Sequence, residues 1–167
     1  MTTVEQVEPE ARTGGCQCGA VRFRVDGPMR RSSICHCRMC QKATGGFFGA
    51  FATFLAGGVS WTRGQRKTFR SSDAILRGFC GDCGTPLTFE ALSGGEHVGL
   101  AIGAFDIPAA LAPQRQLDLA ARLPWFETLS GLPTRSPEDE AALAVKYAPV
   151  VSRQHPDHDT DAWRPAP

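Results

Sequence analysis

Seven cysteines fall into three groups with none left over: Cys16-Gln17-Cys18, Cys35-His36-Cys37-Arg38-Met39-Cys40 and Cys80-Gly81-Asp82-Cys83. A buried cysteine that serves only packing is usually solitary, so packing does not account for the grouping. Disulfides account for it poorly, because an odd number leaves one thiol unpaired. The first residues, MTTVEQVEPEARTGG, are polar and acidic with no apolar run of the kind a secretory signal needs, so a cytoplasmic and reducing setting is expected. Ligation of zinc by thiolates remains, and the spacings suit it.

In an extended strand, residues i and i+2 point to the same side, so Cys16 and Cys18 are expected to grip one ion together. Cys80-x-x-Cys83 reads as a turn that lets two sulfurs converge at about 2.3 Å from one metal. Gly84 then allows the tight backbone that follows. Neither pair completes a tetrahedron alone; together they supply four thiolates and a closed, structural site. Cys35, Cys37 and Cys40 are left, with Cys35 and Cys37 on one strand-like face and Cys40 returning from the turn beyond. Counting does not settle this partition, since Cys16 and Cys18 could instead join the central group.

Three protein ligands and a vacancy are how a catalytic zinc site is built. Three thiolates and Zn²⁺ carry a net charge of about −1, which makes the ion a weaker Lewis acid than one held by neutral histidines. The ion is also soft, so the ligand it favours at the vacancy is another sulfur. A thiol bound there loses its proton, and a thiolate so held can add to a small carbonyl or release one from the adduct.

The four histidines offer less. His36 lies between two cysteines, and on an extended backbone its ring points away from them, so it is expected to pack or donate a hydrogen bond. His97 reads as a structural strand residue. His155 and His158, in a polar C-terminal stretch, are expected to be solvated.

Net charge is +1, unevenly spread. From Ala11 to Cys80 there are twelve Lys or Arg against Asp26 and Asp73; the remainder holds six basic and fifteen acidic residues. A basic half can attract an anionic substrate or nucleic acid, or it can offset metal-bound thiolates, which needs no partner. Within "WTRGQRKTFR", Arg63, Arg66, Lys67 and Arg70 are candidates to meet the carboxylates of a peptide thiol, although a solvated strand face is the simpler account of each. Trp61, Trp125 and Phe126 are candidates for a pocket wall, against the simpler account of core packing. Nucleic acid is disfavoured: the basic residues alternate with apolar strand positions, and the sequence pI is about 7.6.

The elements that must position these residues are short strands. "AVRFRV" alternates, with Val21, Phe23 and Val25 on one face and Arg22 and Arg24 on the other, which is a half-buried strand. "FFGAFATFLAGGVSWTRG" reads as strand, Gly-Gly turn, strand. "KTFRSS", "AILRGFC", "PLTFEAL" and "HVGLAIGAF" continue the pattern, and "EALSGGEHV" reads as a hairpin connection. Helical periodicity is scarce before residue 105. "SPEDEAALAVKYA" is the clearest helix, with Ser136 as cap, Pro137 in the first turn and Glu138, Asp139 and Glu140 at the positive end of its dipole.

At 167 residues, 42% hydrophobic and 21% charged, the chain suits one domain with a core. No apolar run approaches the roughly 20 residues of a membrane span. The expected organisation is a flexible tail over 1–13, a zinc-stabilised β domain over 14–135, a helix over 136–148 and a second tail over 149–167. The fold class is mainly β with short helical additions.

"GGCQCGAVRF", "CHCRMCQKATGG", "SWTRGQ", "RGFCGDCGTPLTF" and "RLPWFETLSGLP" together resemble the glutathione-dependent formaldehyde-activating enzyme (GFA) family, whose relatives include the centromere protein V group. The resemblance runs from about Gly14 to Pro133. It implies an Mss4-like antiparallel β fold. It implies two zinc ions per chain, a structural one on Cys16, Cys18, Cys80 and Cys83 and a second, open one on Cys35, Cys37 and Cys40. It also implies a carbon–sulfur lyase acting on the adduct of glutathione, or a similar small thiol, with formaldehyde. One departure stands out: relatives often carry a histidine in the strand before "LPW", where this chain has Gln116. The rival expectation is a non-catalytic, zinc-stabilised β domain that docks a protein or nucleic acid.

Overall fold

The structure, a computed structural model, describes residues 12–163; most of the expected N-terminal tail and the last four residues of the C-terminal one lie outside the described residues. Among the described residues ten strands form two sheets, joined by two α-helices and short 3₁₀ turns. The smaller sheet takes β1 (Arg12–Gly15), β2 (Arg22–Val25) and β5 (Val59–Arg63) in the order β1-β2-β5, both pairings antiparallel. The larger takes β3 (Arg31–Cys35), β4 (Gly49–Leu55), β6 (Lys67–Arg70), β7 (Ile75–Phe79), β8 (Pro86–Ala91), β9 (His97–Ala101) and β10 (Gln116–Leu117). Its order is β10-β3-β4-β9-β8-β7-β6, antiparallel except where the two-residue β10 runs parallel to β3. The fold is the mainly β, GFA/Mss4-like arrangement expected.

Alternation along the strands of the larger sheet decides which side chains reach the core. In β4, GAFATFL, Ala52 and Phe54 join the core cluster, as do Val98 and Leu100 of β9. From the smaller sheet Phe23 and Val25 meet them, both fully buried. Phe105, just after β9, touches both sides: its ring lies edge-on to Phe23 at 5.0 Å and 5.8 Å from Phe54. The opposite face of the larger sheet carries Phe51, Thr53, Gly99 and Phe89, and it turns towards the second cysteine group.

Several local readings change in three dimensions. The Gly-Gly turn after β4 does not close a hairpin; it passes the chain from the larger sheet to β5 of the smaller one. Arg22, placed by alternation on a solvent face, is 3% exposed. Its guanidinium donates to Asp106 at 2.8 and 2.6 Å and to Asp159 at 3.1 and 2.6 Å, so the outer face of β2 is covered at Arg22, while Arg24 stays exposed. A helix absent from the periodicity, α1 (Arg38–Thr44), follows β3 directly. The second helix, α2 (Pro137–Tyr147), begins where its cap predicts, with the Asp139 N–H donating to Ser136 Oγ at 3.1 Å.

His155 is buried, not solvated. The segment around it returns to the β1–β2 turn, where the His155 N–H donates to Gln17 O at 2.7 Å and Trp163 Nε1 to Cys18 O at 2.8 Å. A Cβ on Gly19 would collide with both rings, so this turn and the C-terminal segment fit together only without a side chain there.

Candidate metal centre

Cys16 and Cys18 do not lie on an extended strand. They sit in a tight turn between β1 and β2, closed by Cys16 N–H to Val21 O at 2.9 Å and Gly19 N–H to Cys16 O at 3.0 Å. Cys80 and Cys83 occupy the turn between β7 and β8, where Gly84 N–H donates to Cys80 O at 3.0 Å and Gly84 takes a φ of 79°. That left-handed value favours glycine, as the sequence reading required. The four sulfurs lie within 4.8 Å of one another, with Cys16–Cys18 at 3.5 Å and Cys18–Cys80 at 3.8 Å. A tetrahedron with bonds of about 2.3 Å has edges of about 3.8 Å, so the donor set fits a four-coordinate thiolate metal.

The turns also prepare the sulfurs. Burial pushes the Cys16 thiol up, against the Val21 N–H that donates to Cys16 Sγ at 3.2 Å. Cys83 is also pushed up by burial, but the Thr85 hydroxyl and N–H outweigh this and bring it to about 6. These donors favour the thiolate form of Cys83.

The second group is built differently. Cys35 ends β3, Cys37 caps α1, and Cys40 lies in that helix's first turn rather than in a turn beyond a strand. The Cys40 N–H donates to Cys37 Sγ at 3.4 Å, which holds two sulfurs on one side of the helix start. All three sulfurs lie within 4.8 Å of one another. Burial acts to raise Cys37, yet the Cys40 N–H and the neighbouring thiols bring it below its ordinary value. Burial raises Cys40, with Arg77 opposing, and raises Cys35, with Asp118 adding to the effect.

Two residues around this group carry charge and were not among the sequence candidates. Arg77 is 4% exposed; its Nη2 lies 3.4 Å from Cys40 Sγ and its Nε donates to Ser71 Oγ at 3.0 Å. Among the described residues it forms no ion pair with a carboxylate. A buried cation needs a compensating charge, and an anionic metal–thiolate group beside it would supply one. Its only sequence signal is a single cation in the otherwise apolar run "AILRGF". Asp118 accepts from Cys35 Sγ at 3.0 Å and holds a φ of 55°, the one left-handed non-glycine among the described residues. Such strain collects at functional positions, but no local pattern announces it.

His36 is fully buried and faces away from the sulfurs. Its Nε2 lies 2.9 Å from Gln116 Oε1, and the rings of Phe126 and Phe48 stand edge-on to it at 4.8 and 6.1 Å. Gln116, the departure from the family pattern, is thus tied to His36.

A cleft of about 490 Å³ opens beside the second group. Cys35, Cys37 and Cys40 line it together with Arg31, Arg77 and Asp118. Arg63, Arg66, Lys67 and Arg70 do not line it. Arg63 donates to Gly19 O and to Thr160, Arg66 is bidentate to Glu90 at 3.0 and 2.8 Å, and Arg70 lies 4.0 Å from Asp73. Of the candidate aromatic walls, Trp61 stands edge-on to Phe23 and under Arg66, Trp125 meets Phe47, and Phe126 meets His36. No helix among the described residues is long and apolar enough to cross a membrane.

A crystal structure of a Rhodobacter sphaeroides protein is similar in fold, with a TM-score of 0.51 at 21% identity, over 62% of this chain and 98% of that one. Residues 11–119 match the family described as glutathione-dependent formaldehyde-activating enzyme, which spans both cysteine groups and Asp118. With that match, and with two cysteine groups each able to hold a metal ion, the chain belongs to the GFA family.

Proposed function

We propose that the chain is a zinc-dependent carbon–sulfur lyase acting on adducts of a small thiol with an aldehyde such as formaldehyde, working in the cytoplasm. Zinc would be held twice. Cys16, Cys18, Cys80 and Cys83 would form the structural site, and Cys35, Cys37 and Cys40 the second, open one. The observation that carries the reading is the contrast between the two groups. The turn that carries Cys16 and Cys18 is covered by the segment from Gln154 to Trp163, while Cys35, Cys37 and Cys40 line a cleft with room for a small molecule.

A zinc ion on Cys35, Cys37 and Cys40 would supply a soft acid that keeps an incoming thiol in its thiolate form. The residues around it do the rest. Arg77 places fixed positive charge beside Cys40, in a setting where charge is weakly screened. Asp118 is the carboxylate that lines the cleft, with Oδ2 accepting from Cys35 Sγ at 3.0 Å, and it would take the thiol's proton and return it to oxygen. In the addition direction sulfur bonds to the carbonyl carbon, the C=O π pair moves to oxygen, and oxygen receives that proton. In the lyase direction the C–S bond breaks, and the pair and proton return to sulfur.

Adduct exchange followed at equilibrium, comparing wild type with Cys40→Ser across several thiols, tests this reading. Thiols add to formaldehyde unaided, so the wild-type excess is the informative quantity. Equal rates for both proteins with every thiol would favour a non-catalytic binding domain.

A further inference from the structure

Arg31, Ser33 and Cys35 share one face of β3, because successive strand residues point to opposite sides. Across the antiparallel pairing with β4, Arg31 stands opposite Thr53 and Ser33 opposite Phe51. All five residues line the cleft. Directly opposed side chains in a sheet have Cβ atoms about 5 Å apart, and diagonal ones about 7–8 Å. Arg31, Ser33 and Thr53 therefore form one compact polar triangle. Cys35 lies two residues beyond Ser33 and four beyond Arg31, about 7 and 13 Å along the strand.

The two hydroxyls of this triangle are unused. Ser33 is 8% exposed and Thr53 9%, and neither side chain makes a hydrogen bond among the described residues. Ser32, on the other face of the strand, gives the contrast: its hydroxyl donates to Ala112 O at 2.6 Å. A buried hydroxyl without a partner is costly, so it is met by water or by a ligand. Arg31, beside both, is exposed and forms no ion pair among the described residues. The cleft's other cation does not serve this end. In the row Thr53↔Gly99↔Phe89↔Arg77, Phe89 stands between Arg77 and Thr53. Arg77 is held over that ring, 5.1 Å from its centre, with Nη2 at Cys40 Sγ.

One cation balances one negative charge, and a guanidinium with two hydroxyls next to it offers several donors to a single carboxylate. Granting the thiol-accepting role of Cys35, Cys37 and Cys40, we propose that Arg31, Ser33 and Thr53 form a distal carboxylate subsite. The preferred thiol then has its sulfur at the three cysteines and its carboxylate about 7–13 Å away along β3. A carboxylate next to the sulfur falls short of the subsite.

Cobalt-substituted protein titrated with two pairs of thiols tests this through the metal's absorption spectrum. 6-Mercaptohexanoate and 6-mercaptohexan-1-ol differ in a distant carboxylate, mercaptoacetate and 2-mercaptoethanol in a near one. The carboxylate should tighten binding about tenfold in the long pair and bring no comparable gain in the short pair. Arg31→Gln, at an exposed side chain, should keep its melting temperature and bring 6-mercaptohexanoate down to the affinity of the alcohol. Thr53→Val should weaken 6-mercaptohexanoate several-fold and leave 6-mercaptohexan-1-ol unchanged. Acetate, which has no thiol, reads the subsite independently. In the zinc-loaded protein it should shift the Arg31 Nε and Thr53 amide NMR resonances saturably, and the Thr53 shift should vanish in Arg31→Gln. Saturable acetate shifts with no thiol perturbing the cobalt spectrum would refute the thiol-accepting role alone. No gain in the long pair, an equal gain in both pairs, or a folded Arg31→Gln that binds 6-mercaptohexanoate like wild type overturns the subsite and leaves the lyase reading standing.

Discussion

Replacing one sulfur in each group should have unequal consequences. Cys80 is 1% exposed at the end of β7, and its sulfur lies 3.8 Å from that of Cys18. Structural zinc contributes on the order of 10 kcal/mol to small zinc domains, whereas a whole domain is stable by only about 5–15 kcal/mol. Cys80→Ser should therefore abolish the cooperative fold. Cys40 is as buried, but its loss removes one of three ligands from a group beside a cleft and leaves Arg77 without the sulfur at 3.4 Å. Removing one partner of a buried pair costs about 3–5 kcal/mol, and Arg77 keeps Ser71, so the lower end applies. At roughly 2–4 °C per kcal/mol for a domain this size, Cys40→Ser should melt about 6–12 °C lower, still cooperatively, with one metal per chain instead of two. Near-UV circular dichroism, thermal melts and metal analysis of chelator-free preparations read all three quantities. Comparable loss of stability in both variants, or two metals retained by Cys40→Ser, would refute the division into a structural and an open site.

Metal loading of the second group should strengthen with pH. Cys35 and Cys40 are held above their ordinary values, so the metal-free protein binds protons there that ligation must release. Lowering pH favours the metal-free state, and competition against a chromophoric chelator should show affinity falling about a hundredfold or more per unit near neutral pH, since Cys35 and Cys40 alone release two protons. Asp106→Asn should cost about 3 kcal/mol at pH 7 by breaking the Arg22 pair. Asp106, desolvated but outweighed by the Arg22 bonds, is held below its ordinary value. Its contribution is present above the usual carboxylate range and is lost as pH falls through its lowered value, so urea melts of the two proteins should converge in acid. Asp118→Gly should raise stability by about 1 kcal/mol by relieving the left-handed backbone while slowing adduct exchange; a fall in melting temperature would show that the Cys35 contact outweighs the strain. Gly19→Val, which drives a side chain into His155 and Trp163, should expose the roof of the first group to proteolysis while leaving the second group's metal in place.

The two cysteine groups that could hold a metal were legible because ligand spacing is local: cysteines two or three residues apart are close enough to share an ion, and Gly84 marked its own left-handed turn. The strands were legible from alternation, and α2 from its Ser136 cap, since each signal lies within a few residues. The reach of those signals also explains the misreadings. Arg22 has the alternation of a solvated residue, and only the return of Asp106 and Asp159 from 84 and 137 positions away makes it a buried ion pair. His155 looked solvated in a polar stretch because two of its partners, Gln17 and Arg63, meet it through tertiary contact. Seven residues of α1 are too few for a helical period to show, and their geometry depends on the sulfur of Cys37 accepting from Cys40. By itself the sequence determined the donor atoms and the mainly β class. Tertiary structure alone decided that the C-terminal segment covers the Cys16–Cys18 turn and that Cys35, Cys37 and Cys40 face a cleft. It also decided that Arg77 and Asp118, 37 and 83 residues from the sulfurs they contact, stand beside the three-cysteine group. Those charges are placed by strand order and register across the whole sheet, which no window along the chain contains.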